Sequence, residues 1–119
     1  MQQVAIPTDG GPYLANFGRA RTIAVFRVDS GAVLSREDRI NPDPDHLDPA
    51  HHGVMLDLVR GCNVVIASHI GPPMVTSLTH RGVRVLGAPH ERVEATLQAY
   101  LRSLSGRPPL EDFTLASSS

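Results

Sequence analysis

The chain has 119 residues, of which 41% are hydrophobic and 19% charged, and its formal net charge is −1. That is one domain's length, too apolar for a disordered chain and without the ~18 consecutive apolar residues of a membrane span. All 11 basic residues are arginine and they are scattered, so no basic stripe points to nucleic acid. The single cysteine, Cys62, excludes an internal disulfide framework, a four-cysteine zinc site and an all-thiolate cluster within one chain. Met1-Gln2-Gln3 leads directly into an apolar run. No secretory signal is read there, and a cytoplasmic location is expected.

Residues 3–7 form a short apolar run that reads as a buried strand, ended by the turn chemistry of Thr8-Asp9-Gly10-Gly11-Pro12. Residues 22–28 are rich in β-branched and aromatic types and predict a second strand. Asp29-Ser30-Gly31 is a hairpin turn into a third strand over 32–40. The loop that follows holds three prolines and three aspartates up to Pro49. Asp48 reads as a helix N-cap, with Pro49 at the first helical position and Gly61 closing the helix after about residue 60.

Residues 63–67 are apolar without alternation, the pattern of a strand buried on both faces. Gly71-Pro72-Pro73 opens a second helix that stops at Gly82, and residues 83–86 make a short strand. A third helix is read from Pro89, with Val93, Leu97, Tyr100, Leu101 and Leu104 on one face. Residues 1–105 thus read as one α/β domain, and 106–119 as a mobile C-terminal tail.

Short links make the first three strands antiparallel neighbours. Helical crossovers make the later ones parallel. The expectation is a mixed five-stranded sheet of order 3-2-1-4-5 with three helices, a ribonuclease H-like α/β fold.

Ile6-Pro7-Thr8-Asp9-Gly10, Asn16-Phe17-Gly18-Arg19-Ala20, His51-His52-Gly53, Val64-Val65-Ile66-Ala67 and Ile70-Gly71-Pro72 together resemble the nitrogenase iron–molybdenum cofactor biosynthesis family, over roughly residues 3–104. The resemblance implies a ribonuclease H-like fold and the binding of an iron–sulfur type cluster, the iron–molybdenum cofactor or a precursor, in nitrogen fixation. Two positions depart from the family pattern. Asn16 stands where the family usually has histidine before Phe-Gly-Arg-Ala, and Ser68-His69-Ile70 replaces a glycine-rich segment.

The topology locates a site independently. Strands 1, 4 and 5 finish at one end of the sheet, where the 16–21 segment and the start of the first helix also lie. His46, His51, His52, His69 and His90 fall at that end, and His80 falls at the other. Open α/β sheets bind ligands outside the carboxyl ends of their parallel strands. The helix starts after Gly71 and Pro89 are expected to add free N–H groups for an anion. The candidate cofactor-binding residues are Asn16, Arg19, His51, His52 and His69, with the three histidines as metal ligands. His51, His52 and His69 are expected to open onto one cavity with Asn16 on its rim.

Each candidate has a plainer alternative. His51 shares a helix face with Met55 and Leu58 and reads equally as a packing residue. His52 can satisfy loop carbonyls. Arg19 and Arg21 either pair with an anionic cluster or flank a strand. His90 reads as a helix-start residue. His46 with Asp43, Asp45 and Asp48 is a hard-cation candidate or a solvated loop. Asp9 reads as a turn former, and Cys62 as a small core residue.

The fourth strand has no acid for a two-metal nuclease. With no lysine in the chain there is no phosphate loop, and no serine occupies a nucleophile elbow. The leading expectation is a non-catalytic carrier of a preformed metal–sulfur cluster, or of a metal ion, with a cofactor donor or acceptor protein as partner and neither nucleic acid nor membrane. The alternative is a cofactor-free interaction or regulatory module on the same fold.

Overall fold

A computed structural model of the chain describes residues 1–45, 49–104 and 110–113. Its elements are β1 (Gln2–Thr8), β2 (Thr22–Asp29), β3 (Ala32–Ile40), α1 (Pro49–Leu58), β4 (Val64–Ala67), α2 (Pro72–His80), β5 (Arg84–Gly87) and α3 (Val93–Ser103), with a single 3-10 turn over Phe17–Arg19. The five strands form one sheet in the order β3-β2-β1-β4-β5. β1–β2 and β2–β3 are antiparallel, whereas β1–β4 and β4–β5 are parallel. The expected α/β architecture, strand order and three helices are all observed.

The local chemistry explains the turns. The β2–β3 loop is the two residues Ser30 and Gly31, with φ of 54° and 80°. A type I′ hairpin requires positive φ at both central positions, and Gly adopts it without strain. α1 closes in tight turns, Val59 N–H to Leu56 O at 3.3 Å and Arg60 N–H to Asp57 O at 3.1 Å.

Alternation along the strands sends side chains to two separate cores. Ala5, Ile23, Val25 and Val65 pack with Met55 of α1 and with Met74 and Leu78 of α2. Val4, Ile6, Ala24, Phe26, Val64 and Ile66 pack with Val93, Leu97 and Tyr100 of α3. The sheet is therefore sandwiched, α1 and α2 on one face and α3 on the other.

Three expectations need correction. First, α3 begins at Val93 with Arg92 as its N-cap, not at Pro89. Residues 89–91 are held as a loop instead, because Leu14 N–H donates to Glu91 O at 2.8 Å and the Thr96 hydroxyl donates to His90 O at 3.1 Å.

Second, the start of α2 does not offer the expected row of free N–H groups, and the start of α3 offers a shorter one. α2 opens with Pro72 and Pro73, which have none, and Met74 N–H is bonded to Gly71 O at 3.1 Å. At α3 the first N–H, that of Val93, is taken by Pro12 O at 2.8 Å.

Third, residues 110–113 of the expected tail lie along β5. Gly87 N–H donates to Glu111 O at 3.0 Å, Phe113 N–H donates to Val85 O at 2.9 Å, and Phe113 packs on the core beneath α1 and α2. The rest of that tail, 106–109 and 114–119, lies outside the described residues, as do His46 and the proposed N-cap Asp48.

Candidate functional site

Because β1, β4 and β5 run parallel, Thr8, Ala67 and Gly87 end on the same side of the sheet. The chain leaving β4 turns to α2 on one face, and the chain leaving β5 turns to α3 on the other. A crevice opens where successive exits diverge in this way. Here it is a cleft of about 480 Å³, within the ~300–1,000 Å³ range of small-ligand sites. The β1–β2 connection contributes Tyr13, Leu14, Ala15 and Asn16; Ser68 and His69 follow β4; Ala88, Pro89, His90 and Glu91 follow β5.

Backbone bonds fix these three loops to one another. Phe17 N–H donates to His69 O at 2.9 Å, tying the first loop to the end of β4, and Leu14 N–H donates to Glu91 O, tying it to the end of β5. The Arg92 guanidinium lies 5.3 Å from the centre of the Tyr13 ring, a cation–π distance. The cleft walls are thus set by the main chain rather than by side chains that must be ordered on binding.

The five sequence-derived candidates separate into two groups. Asn16 and His69 both line the cleft. Asn16 is exposed, and its Oδ1 accepts from Gly18 N–H at 3.2 Å, which caps the 3-10 turn. His69 is exposed, with Nδ1 3.2 Å from Ser68 Oγ.

His51, His52 and Arg19 do not line it. His51 is buried, with Nε2 2.8 Å from Gly18 O. A carbonyl has only lone pairs to offer, so this nitrogen carries the proton and its own lone pair is not free for a metal. His52 Nε2 lies 3.0 Å from Ser77 Oγ and links α1 to α2. Arg19 ends the 3-10 turn with its side chain exposed. The shared cavity expected for His51, His52 and His69 is therefore not formed.

His90 and Glu91 take the places on the cleft that reasoning from sequence underrated. No local signal marks them, since Pro89 suits a first helical turn and the loop is held by the bonds from Leu14 and Thr96. Among the described residues, no group of three or more His, Cys, Asp or Glu side chains converges as a metal site. Another hollow of similar size, about 500 Å³, lies at the amino ends of the parallel strands beside Gln2, Asn63, Arg84 and Tyr100, and its described lining has no histidine, cysteine or carboxylate.

Cys62 is 6% exposed. Its thiol is pushed above its ordinary value, chiefly by burial, with Arg39 opposing. It precedes β4 while His69 follows it, so the strand's length separates the thiol from the cleft.

The fold and the cleft define a small α/β protein with one mixed sheet and a preformed pocket at the carboxyl ends of its parallel strands. The family model described as dinitrogenase iron-molybdenum cofactor matches residues 1–103, and the chain belongs to that family. Membership points to a role in the biosynthesis or binding of the iron–molybdenum cofactor.

Solved structures share the fold. A protein of Methanocaldococcus jannaschii, described as a candidate dinitrogenase, is 16% identical with a TM-score of 0.72, covering 95% of each chain. The apo form of the orange protein from Desulfovibrio gigas is 24% identical with a TM-score of 0.69, covering 92% of each. A candidate NifB protein of Thermotoga is 24% identical with a TM-score of 0.63, covering 96% of this chain and 97% of that one. No curated protein matches the chain.

Proposed function

We propose that this protein is a non-catalytic carrier that takes a preassembled metal–sulfur cluster, the iron–molybdenum cofactor or a precursor of it, as cargo in the cleft between His69 and His90. The observation that carries this reading is the donor set. Two imidazoles and one carboxylate reach the cleft, and among the described residues no group of three or more ligands converges. Bare zinc takes four ligands, or three plus water, and two imidazoles with one carboxylate would supply three only if they converged. A preassembled cluster brings its own sulfides and can be held by one or two imidazoles, with Asn16 on the rim as a polar contact. The spread of these donors around the cleft therefore favours the cluster over the simple metal ion.

Release follows from the same geometry. His69 and His90 are exposed, so a bound cluster remains reachable by an acceptor protein. Cys62, buried with a raised thiol pKa, is left out of the site.

The test is anaerobic titration of the purified chain with isolated iron–molybdenum cofactor, read by absorbance and by iron and molybdenum content after desalting. Retention of about one cluster per chain, lost on mixing with an acceptor protein, is the expected result. No retention would overturn the carrier reading and favour the interaction module.

A further inference from the structure

We propose that β3 is a homodimer edge, on which a second copy of this chain pairs its own β3 antiparallel to extend the sheet across both molecules. The two edges of the sheet are treated differently. β5 is covered by residues 111–113. β3 pairs with β2 on one side only, and among the described residues nothing pairs with its other side. This bare edge is nine residues long and carries exposed apolar groups, Leu34 at 55% and Ile40 at 73%.

Charged residues usually blunt such an edge. Here their order makes it complementary to itself. Phe26 faces Arg36, Ala24 faces Asp38 and Thr22 faces Ile40 across the β2–β3 ladder, so Arg36, Asp38 and Ile40 share one face of the sheet. A two-fold axis normal to the sheet through Glu37 keeps that face common to both copies. It sets Arg36 opposite Asp38 of the second copy, twice; Leu34 is the extra residue where the β2–β3 ladder shifts register, and it is left out of this pairing.

Opposite charges in directly opposed positions stabilise antiparallel strands. Arg36 and Asp38 already meet within the strand at 3.0 Å, so pairing converts one exposed ion pair per chain into an alternating square of four charges. On the other face the two Glu37 carboxylates meet at the axis. Each is balanced by its own Arg39, whose Nε lies 2.6 Å from Glu37 Oε1.

The test uses the full chain in sedimentation equilibrium over a wide concentration range. A reversible monomer–dimer equilibrium is expected. Asp38→Arg and Arg36→Asp should each weaken it roughly tenfold or more, since two attractive pairs become two repulsive ones, and the double reversal should restore it. Circular dichroism should show all three variants folded, because an exposed ion pair contributes little to the monomer.

The register has its own readout. Opposed residues in an antiparallel pair sit about 4.5–5.5 Å apart at Cα, inside the disulfide range. Glu37→Cys in a Cys62→Ala background should therefore cross-link to itself on mild oxidation, and Ser35→Cys should not. A chain that stays monomeric at every concentration, a dimer indifferent to both single reversals, or cross-linking through position 35 in place of 37 would each overturn the proposal.

Discussion

The backbone N–H of Phe17 donates to the carbonyl of His69 at 2.9 Å, so a loop between two antiparallel strands is clamped to the end of a parallel one. Phe17 is 1% exposed and buries its ring in the core beneath α1 and α2. Its burial fixes the clamp, and the clamp holds Asn16 and His69 on the same cleft. The packing of one aromatic side chain is thereby coupled to the geometry of the cleft.

His69→Ala and His90→Ala should each weaken retention of the iron–molybdenum cofactor by about tenfold or more, since even groups that only support metal ligands act on the scale of ~10–100-fold. Neither should move the denaturation midpoint, because both side chains are exposed. His80→Ala, at the C-terminal end of α2 on the far side of the molecule, should retain cargo as the parent does. Anaerobic titration of the three variants side by side is the measurement, and equal behaviour would remove His69 and His90 from the site.

His51→Ala should act on stability. The substitution removes a buried imidazole and leaves the half-buried Gly18 carbonyl without its 2.8 Å partner. An orphaned buried polar group costs about 1–3 kcal/mol. Urea unfolding should show that loss, while cofactor retention per folded molecule stays close to that of the parent.

Much of this was legible in the residues. The alternation-free run at 64–67, the hairpin Ser30-Gly31 and the spacing from Val93 to Leu104 led to the strand order and the helices, because each is a local pattern with one structural solution. The end of the sheet where the cleft opens was also readable, since it follows from strand direction alone. The ligand set was not. His51 and His69 arrive at the same end by topology, but which imidazole turns inward depends on the helix face that packs, and Met55 takes His51 into the core with it. His90 was misread as a helix-start residue because Pro89 is chemically suited to a first helical turn. The hydrogen bonds from Leu14 and Thr96 that hold 89–91 as a loop are contacts no local pattern announces.

Arg39→Ala should destabilise the fold by about 1.5–3 kcal/mol, the range for hydrogen bonds to a charged group. Nη1 of Arg39 donates to Leu58 O at 3.0 Å and to Arg60 O at 2.9 Å. These carbonyls lie at the C-terminal end of α1, where backbone acceptors lack helical partners and the helix dipole favours a cation. Arg39→Lys should recover only part of the loss, because an ammonium lacks the planar fork of the guanidinium. Chemical denaturation of both variants provides the measurement.

Cys62 and Tyr100 set the response to alkali. Burial raises both above their ordinary values of 9.0 and 10.0, and for each it is the largest cause. Arg39 opposes the shift at Cys62. At Tyr100, Arg84 and the hydrogen bond to Gln2 oppose it. A raised native value means the folded chain keeps these protons while the unfolded chain gives them up. Stability is therefore full below the ordinary values and falls as pH rises through 9.0 and 10.0 toward the native ones. The unfolding free energy should decline above about pH 9, and the Cys62→Ala chain should show a shallower decline over the first part of that range. At neutral pH the same burial keeps the thiol protonated, so iodoacetamide should label native Cys62 far more slowly than the urea-unfolded chain. Equal labelling rates in the two states, or an identical alkaline slope in Cys62→Ala, would show that the thiol is not held protonated by the core.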